Sequence, residues 1–163
     1  MIHDVSTRLL TCVCVLSLSA GAAAQTKSTQ PSAATKAADQ KEIYGYVLTL
    51  DTFHKIISAE KELSALPQGA DSGAGGDETL DQSTQKITKN AQAVAVLRKN
   101  GLTPREFVVG GIALGWAGSV AAQKKAGQKV PPEMAALASP ANLAFAEQHY
   151  GEIAKVMLGG DGK

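Results

Sequence analysis

The stretch "NGLTPREFVVGGIALGWAGSVAAQ", Asn100 to Gln123, decides the fold of this chain. It opens with helix-start signals and continues through the uncharged segment Phe107 to Ala122, in which half of the residues are glycine or alanine. Three interpretations compete for such a segment: a membrane span, the DNA-reading helix of a helix-turn-helix, and the packed centre of a soluble helical bundle. The capping signals, the length and the composition of the stretch separate them.

Four residues at the start of the stretch predict a tight helical hairpin. Thr103 and Glu106 have the spacing of a T-x-x-E capping box, in which each side chain accepts a hydrogen bond from the backbone N–H of the other residue. Pro104 stands at the first helical position, where its missing N–H costs nothing. Gly101 stands where a left-handed residue ends the preceding helix. A new helix is therefore expected to start directly after Thr103.

The uncharged segment is too short and too rich in small residues for a membrane span. Its sixteen residues extend about 24 Å as a helix, against roughly 30 Å of bilayer hydrocarbon. Gly111, Gly115 and Ser119 recur every four residues, a pattern that lets a neighbouring helix approach closely. We therefore predict the buried central helix of a soluble bundle, with these three residues as its close-packing face and Trp116 buried beside that face.

The DNA-binding interpretation rests on five residues. "LTPRE", Leu102 to Glu106, resembles the opening of LuxR-type DNA-binding domains, but the polar recognition helix of that family does not follow. The formal net charge of +1 gives no electrostatic reason to expect nucleic acid or an anionic membrane as a partner. We therefore expect no nucleic-acid partner, and we leave a protein partner and self-association open.

The N-terminus has the pattern of an export signal. The apolar run Leu9 to Leu18 is followed by small residues at Ala22 and Ala24. An apolar run of about ten residues before an A-x-A site is typical of a secretory signal peptide and is too short to cross a bilayer. We predict cleavage between Ala24 and Gln25, contact with the membrane only through this transient segment, and a periplasmic or secreted mature protein.

Both cysteines, Cys12 and Cys14, lie inside the apolar run. The alternative that one of them carries a lipid is disfavoured because the apolar run continues past both. The mature chain is then expected to enter an oxidising compartment without a disulfide, a thiol nucleophile or a thiolate metal ligand.

Apolar residues recur at three- and four-residue steps along the remaining chain, which predicts amphipathic helices. The predicted helices cover 40–66, 80–100, 104–126 and 140–158. The segment Tyr44 to Phe53 is also rich in residues that favour strands. Because no clear strand pattern appears elsewhere, the sequence predicts an all-α fold, specifically an up-down four-helix bundle.

The domain organisation follows from composition. The predicted segments are a signal peptide at 1–24, a disordered leader at 25–39, a single helical domain at 40–158 with a flexible linker at 67–79, and a disordered tail at 159–163. The leader is polar and lacks large aliphatic residues over nearly all of its length, and the linker is rich in glycine.

Two histidines remain after cleavage, His54 on the first predicted helix and His149 on the last. In an up-down bundle these helices are neighbours, so two rings that met could hold haem or a transition metal. The alternative is that each histidine borders an apolar stripe with one ring nitrogen in water. No catalytic motif accompanies them, such as G-x-S-x-G or H-E-x-x-H. The sequence therefore favours a binding or structural role over an enzyme, with no cofactor, and keeps a haem- or metal-binding bundle as the alternative.

Two segments of the C-terminal half carry a family resemblance. Leu102 to Phe107 has the form L-T-P-R-E-[FY], and Pro140 to Phe145 has the form P-A-N-[LV]-A-F. Together they resemble a group of uncharacterised exported bacterial helical proteins. The resemblance extends from Val96 to Met157 and implies export and a helical fold, but no activity, because none is assigned to that group.

Overall fold

The computed structural model describes residues 31–66 and 78–157, and within these ranges the chain is all-helical. The helices are α1 (Ala33–Gly45), α2 (Leu50–Ser64), α3 (Leu80–Thr88), α4 (Ala91–Lys99), α5 (Pro104–Lys125), α6 (Pro132–Ala135), α7 (Pro140–Gln148) and α8 (Tyr150–Met157). The predicted all-α class is confirmed. The predicted signal peptide with its cleavage site at Ala24 and Gln25, most of the predicted linker and the predicted tail lie outside the described residues.

The first predicted helix is two helices. The connection at 46–49 is extended, with φ −69° and ψ 133° at Tyr46 and φ −127° and ψ 163° at Thr49. Thr49 forms a capping box with Thr52 and so begins a new helix. The prediction of one helix over 40–66 was therefore wrong at this connection, where the strand-favouring residues lie.

The start of α1 also differs from the prediction. The Ser32 side chain accepts a hydrogen bond of 3.1 Å from the Thr35 N–H, which caps a helix that begins at Ala33. The part of the predicted disordered leader from 33 to 39 is therefore helical.

Two other predicted helices are interrupted once. Asn90 caps α4 by accepting hydrogen bonds from the N–H groups of Gln92 and Ala93, so α3 and α4 are separate helices. His149 ends α7 with φ −102° and ψ 19°, and α8 begins at the next residue. Asparagine is a strong helix starter because its side chain satisfies backbone donors that have no helical partner.

The hairpin before α5 has the predicted geometry. Gly101 has φ +72°, and the Leu102 N–H donates to the Leu97 carbonyl at 2.9 Å, as in a glycine-terminated helix end. The Thr103 N–H donates to the Glu106 carboxylate at 2.8 Å, and the Glu106 N–H donates to Thr103 Oγ1 at 3.2 Å. With Pro104 as its first residue, α5 runs to Lys125 without a break.

Helix α5 is the centre of the molecule, because it contacts each of the other seven helices in the described ranges. Its buried residues lie on several sides of the helix: Phe107, Val108, Val109, Gly110, Ala113, Leu114, Ala117, Gly118, Val120 and Ala121. The predicted central position of this helix is confirmed. No helix in the part of the chain that the structure describes is both long and apolar enough to cross a membrane.

Candidate functional site

An open apolar groove of about 890 Å³ runs along one side of α5. Helix α2 contributes Ile56 and Ile57 to its lining, α5 contributes Ile112 and Trp116, and α8 contributes Val156. Trp116 is half-buried and Val156 is exposed. Large apolar side chains therefore face a space that is accessible from outside, which is the kind of lining that ligand-binding clefts have.

The floor of the groove contains two glycines. A Cβ atom added to Gly111 or Gly115 would meet no atom of a neighbouring element within 4 Å. The prediction that these residues form the close-packing face was therefore wrong, because their side of α5 opens into the groove instead of meeting a helix. Ser119, the third residue of the predicted face, is half-buried and lies outside the groove lining.

The close approach on α5 occurs at Gly110, one residue away. A Cβ atom there would lie 2.8 Å from Ile56 Cδ1 and 3.0 Å from Tyr46 Oη. A helix turns about 100° per residue, so adjacent glycines face different surroundings. The missing side chain of Gly110 makes room for Tyr46, and burial raises the pKa of the Tyr46 phenol.

A second, smaller hollow of about 340 Å³ shares Ile112 and Trp116 with the groove. Its other lining comes mainly from α1 and from the start of α3, including Ile43 and Leu80, and Leu137 after α6 completes it. The two hollows thus meet at the indole of Trp116, which makes the only tryptophan of the chain a natural reporter of anything bound there.

The polar groups of the groove come from α2. Glu60, Lys61 and Ser64 contribute to the lining. The Ser64 hydroxyl donates to the Glu60 carbonyl of its own helix at 2.8 Å. The Ser64 hydroxyl is therefore bonded to the backbone of its own helix.

One buried asparagine, which sequence reasoning missed, holds the α1–α2 connection in place. Asn142 is 2% exposed. Its Oδ1 accepts a hydrogen bond from the Leu48 N–H at 2.9 Å, and its Nδ2 donates to the Tyr46 carbonyl at 2.7 Å. A signal was present, since Asn142 lies four residues before the buried Ala146 and so is a polar residue on the inward face of α7.

Arg105, the arginine of "LTPRE", connects three helices. Its Nε and Nη2 donate to the two carboxylate oxygens of Glu42 in α1 at 2.8 and 2.6 Å, and its Nη1 donates to Asp81 in α3 at 2.5 Å. The hydrogen bond from Arg105 holds the pKa of Glu42 below its ordinary value of 4.5. This residue therefore has a structural role in the fold.

His54 and His149, the two histidines predicted as alternative metal ligands, stand at the two ends of a row of four neighbouring rings, with Phe53 and Phe145 between them. The His54 ring lies 5.5 Å from that of Phe53, Phe53 lies 6.2 Å from Phe145, and Phe145 lies 4.7 Å from His149. His54 Nε2 lies 3.6 Å from a carboxylate oxygen of Glu152, and both side chains are largely exposed. Residues 31–66 and 78–157 contain no group of three or more His, Cys, Asp or Glu side chains arranged to hold a metal ion.

Comparisons of the chain with protein-family models, with curated proteins and with solved structures found no match.

Proposed function

We propose that this protein is an exported helical binding protein whose groove along α5 receives an apolar partner. The observation that carries the proposal is the open groove, with large apolar side chains on its walls and two glycines on its floor. Its volume of about 890 Å³ falls within the range of ligand sites in proteins, roughly 300–1,000 Å³.

The export part of the proposal is supported by the N-terminal sequence. The apolar run Leu9 to Leu18 and the A-x-A site before Gln25 favour a mature chain that begins at Gln25. The resemblance to exported bacterial helical proteins also supports the export part of the proposal. Its two segments contain residues that hold the fold together, since Arg105 pairs with Glu42 and Asn142 binds the α1–α2 connection.

We also propose that the helical domain is arranged as an up-down four-helix bundle. Each of the four predicted helical segments is helical, and three of them are interrupted by a short break. In this proposal, the pairs α1–α2, α3–α4 and α7–α8 each act as one broken helix around α5.

A neutral apolar fluorophore, N-phenyl-1-naphthylamine, tests the groove. We expect the fluorophore to brighten on binding to the mature protein and to accept excitation energy from Trp116, which lines the groove. Gly115→Leu is expected to weaken the signal, because the leucine side chain occupies part of the groove floor. Gly151→Leu is the matched control, because Gly151 in α8 also has open space around it but lies outside the groove.

Two results would overturn the proposal. One is the absence of fluorophore binding, or binding that Gly115→Leu leaves unchanged, since either result would mean that the groove is not the apolar site. The other is a protein that keeps residues 1–24 in its intact mass and stays in the cytosol, which would remove the export part.

A further inference from the structure

We propose that Asn100 is a site of spontaneous deamidation that the folded turn between α4 and α5 protects, and that its conversion to aspartate weakens this turn. Of the three asparagines in the chain, Asn100 is the only one that is followed by glycine. The reaction needs water as its only co-reactant. Asn100 and Gly101 lie outside the lining of the groove, so the site does not depend on the proposed function.

The chemistry starts from the backbone nitrogen of Gly101. This nitrogen loses its proton to hydroxide and forms a bond to Asn100 Cγ. The bond from Cγ to Nδ2 breaks, and ammonia leaves with a proton taken from water. A water molecule then opens the cyclic imide at either of its carbonyl carbons, which gives aspartate or isoaspartate. Glycine allows this attack most readily, because it has no Cβ to hinder the nitrogen or to restrict the backbone.

The fold requires a glycine at this point of the chain. Gly101 has φ +72° directly after α4, a backbone conformation that residues with side chains rarely adopt. Replacement of Gly101 would slow the attack on Asn100, but it would also strain the turn that leads into α5. The turn therefore keeps the most reactive neighbour beside this asparagine.

The folded backbone holds the two reacting atoms apart. With ψ 5° at Asn100, the Gly101 nitrogen is eclipsed with the backbone nitrogen of Asn100, so it is rotated away from Cβ, to which the reacting carbon is attached. The Gly101 N–H donates to the Arg98 carbonyl at 3.0 Å, and the Leu102 N–H donates to the Leu97 carbonyl at 2.9 Å. The turn must therefore open before the ring can form.

The side-chain amide of Asn100 is also held in place. Its Nδ2 donates to the Val96 carbonyl at 3.0 Å and to Glu62 Oε1 at 3.4 Å. These bonds join the leaving group to the backbone of α4 and to a side chain of α2. Rotation of the amide toward Gly101 would break both of them, which adds to the protection that the backbone gives.

Conversion to aspartate would replace this hydrogen-bond donor with a negatively charged oxygen. The hydrogen bond from Lys99, the main cause, holds the pKa of Glu62 below its ordinary value of 4.5, so Glu62 is negatively charged at neutral pH. A carboxylate at position 100 would repel it. Position 100 also lies at the C-terminal end of α4, where the helix dipole disfavours negative charge. We therefore expect deamidated chains to fold less stably, and the change is irreversible.

Peptide mass mapping of the purified protein tests the protection. The protein is incubated in mildly alkaline buffer with and without guanidinium chloride, and conversion at each asparagine is followed with time. In denaturant, we expect Asn100 to convert faster than Asn90 and Asn142, which are followed by larger residues. Without denaturant, conversion at Asn100 should be about tenfold slower or more, because it then requires local opening of the turn.

The same substitution at the two ends of α4 tests the consequence. Asn100→Asp should lower the melting temperature by about 4 °C, as expected for loss of a helix-end interaction in a domain of this size. Asn90→Asp is the matched control. Asn90 Oδ1 accepts hydrogen bonds from the N–H groups of Gln92 and Ala93, and aspartate keeps these bonds and adds a charge that this end of the helix favours. We expect Asn90→Asp to melt no lower than wild type.

Three outcomes would overturn the inference. Equal conversion of Asn100 with and without denaturant would show that the folded turn does not protect it. Equal conversion of Asn100 and Asn90 in denaturant would show that the glycine does not make Asn100 the preferred site. Equal melting temperatures of Asn100→Asp and Asn90→Asp would show that a carboxylate at position 100 does not weaken the turn.

Discussion

The side chain of Asn142 accepts a hydrogen bond of 2.9 Å from the backbone N–H of Leu48, 94 residues earlier in the chain. The same side chain donates to the Tyr46 carbonyl at 2.7 Å. Buried backbone groups need hydrogen-bond partners. Where the α1–α2 connection is extended, its backbone N–H and C=O groups do not form the hydrogen bonds of a helix. Asn142 supplies the replacement and so fixes the connection between the two helices.

Asn142→Ala is expected to lower the free energy of unfolding by about 2–4 kcal/mol, because it removes two hydrogen bonds and leaves the buried N–H of Leu48 and the partly buried carbonyl of Tyr46 without partners. Urea unfolding monitored by circular dichroism measures the loss. Gln148→Ala is the control on the same helix, since Gln148 is exposed and surface changes usually stay within about 0.5 kcal/mol. Equal stability of the two variants would show that the Asn142 bonds do not hold the connection.

The adjacent glycines Gly110 and Gly111 of α5 should respond differently to alanine. Both substitutions gain about 1 kcal/mol of helix propensity. The new Cβ of Gly110→Ala would lie 2.8 Å from Ile56 Cδ1, whereas that of Gly111→Ala has open space. We expect Gly111→Ala to be more stable than wild type, and Gly110→Ala to be about 1–3 kcal/mol less stable than Gly111→Ala because of overpacking. Thermal unfolding of both variants checks this. If the two variants melt together, Ile56 and Tyr46 move aside without cost.

The sequence was sufficient at the start of α5, where the physical cause is local, although the equally local caps at Ser32 and Asn90 were missed. The hairpin at Gly101, Thr103, Pro104 and Glu106 is set by hydrogen bonds and backbone angles within a few residues, so its pattern could be recognised without tertiary information. The same holds for the all-α class and for the central position of α5, which is apolar on nearly every side.

The sequence did not reveal structural features whose physical cause lies in residues far away along the chain. The break between α1 and α2 depends on Asn142, whose two partners are far away in the chain, and the helical periodicity on either side conceals it. The predicted close-packing face of α5 was also wrong. A pattern of small residues shows which residues share a face of the helix, but it does not show what lies opposite that face. The groove could not be predicted at all, since it is defined by the positions of α2, α5 and α8 together.

The Gly101 turn offers a test of backbone strain. Gly101 has φ +72°, and an added Cβ would meet only Lys55 at an ordinary distance of 3.6 Å. The backbone conformation at Gly101, and not the space around it, therefore limits which residues can replace it. Gly101→Val is expected to destabilise more than Gly101→Asn, because asparagine adopts positive φ several-fold more readily than most residues and a β-branched residue resists it. Urea unfolding ranks the two variants. Equal losses would mean that the turn relaxes to a negative φ.

The capping box predicts a dependence of stability on pH. The backbone hydrogen bond from Thr103, followed by the bond from its hydroxyl, holds the pKa of Glu106 below its ordinary value of 4.5. A carboxylate with a lowered folded-state pKa contributes stability that is present above the ordinary value and is lost as the pH falls through the folded-state pKa. We therefore expect the melting temperature to fall as the pH is lowered below about 4.5.

Glu106→Gln isolates this contribution, because glutamine keeps the capping-box hydrogen bond but does not titrate. Thermal unfolding from about pH 6 to pH 3 should show a smaller decrease for the variant than for wild type. Part of the decrease in melting temperature should remain in the variant, because the pKa of Glu42 is also lowered. The main cause of that lowering is the hydrogen bond from Arg105 to the Glu42 carboxylate. Parallel profiles for the two proteins would show that Glu106 does not contribute.

Gly115→Leu is expected to stabilise the protein, although leucine in a packed contact would destabilise it. Open space lies above Gly115, so the leucine side chain enters the groove, and replacement of a helical glycine by leucine gains about 0.5–1 kcal/mol in propensity. The emission of the neighbouring Trp116 should shift to the blue, because the leucine covers part of the half-buried indole. Urea unfolding followed by fluorescence measures both effects. A loss of about 1–3 kcal/mol, the usual cost of overpacking, would mean that another part of the molecule packs against Gly115 and that the groove is closed in solution.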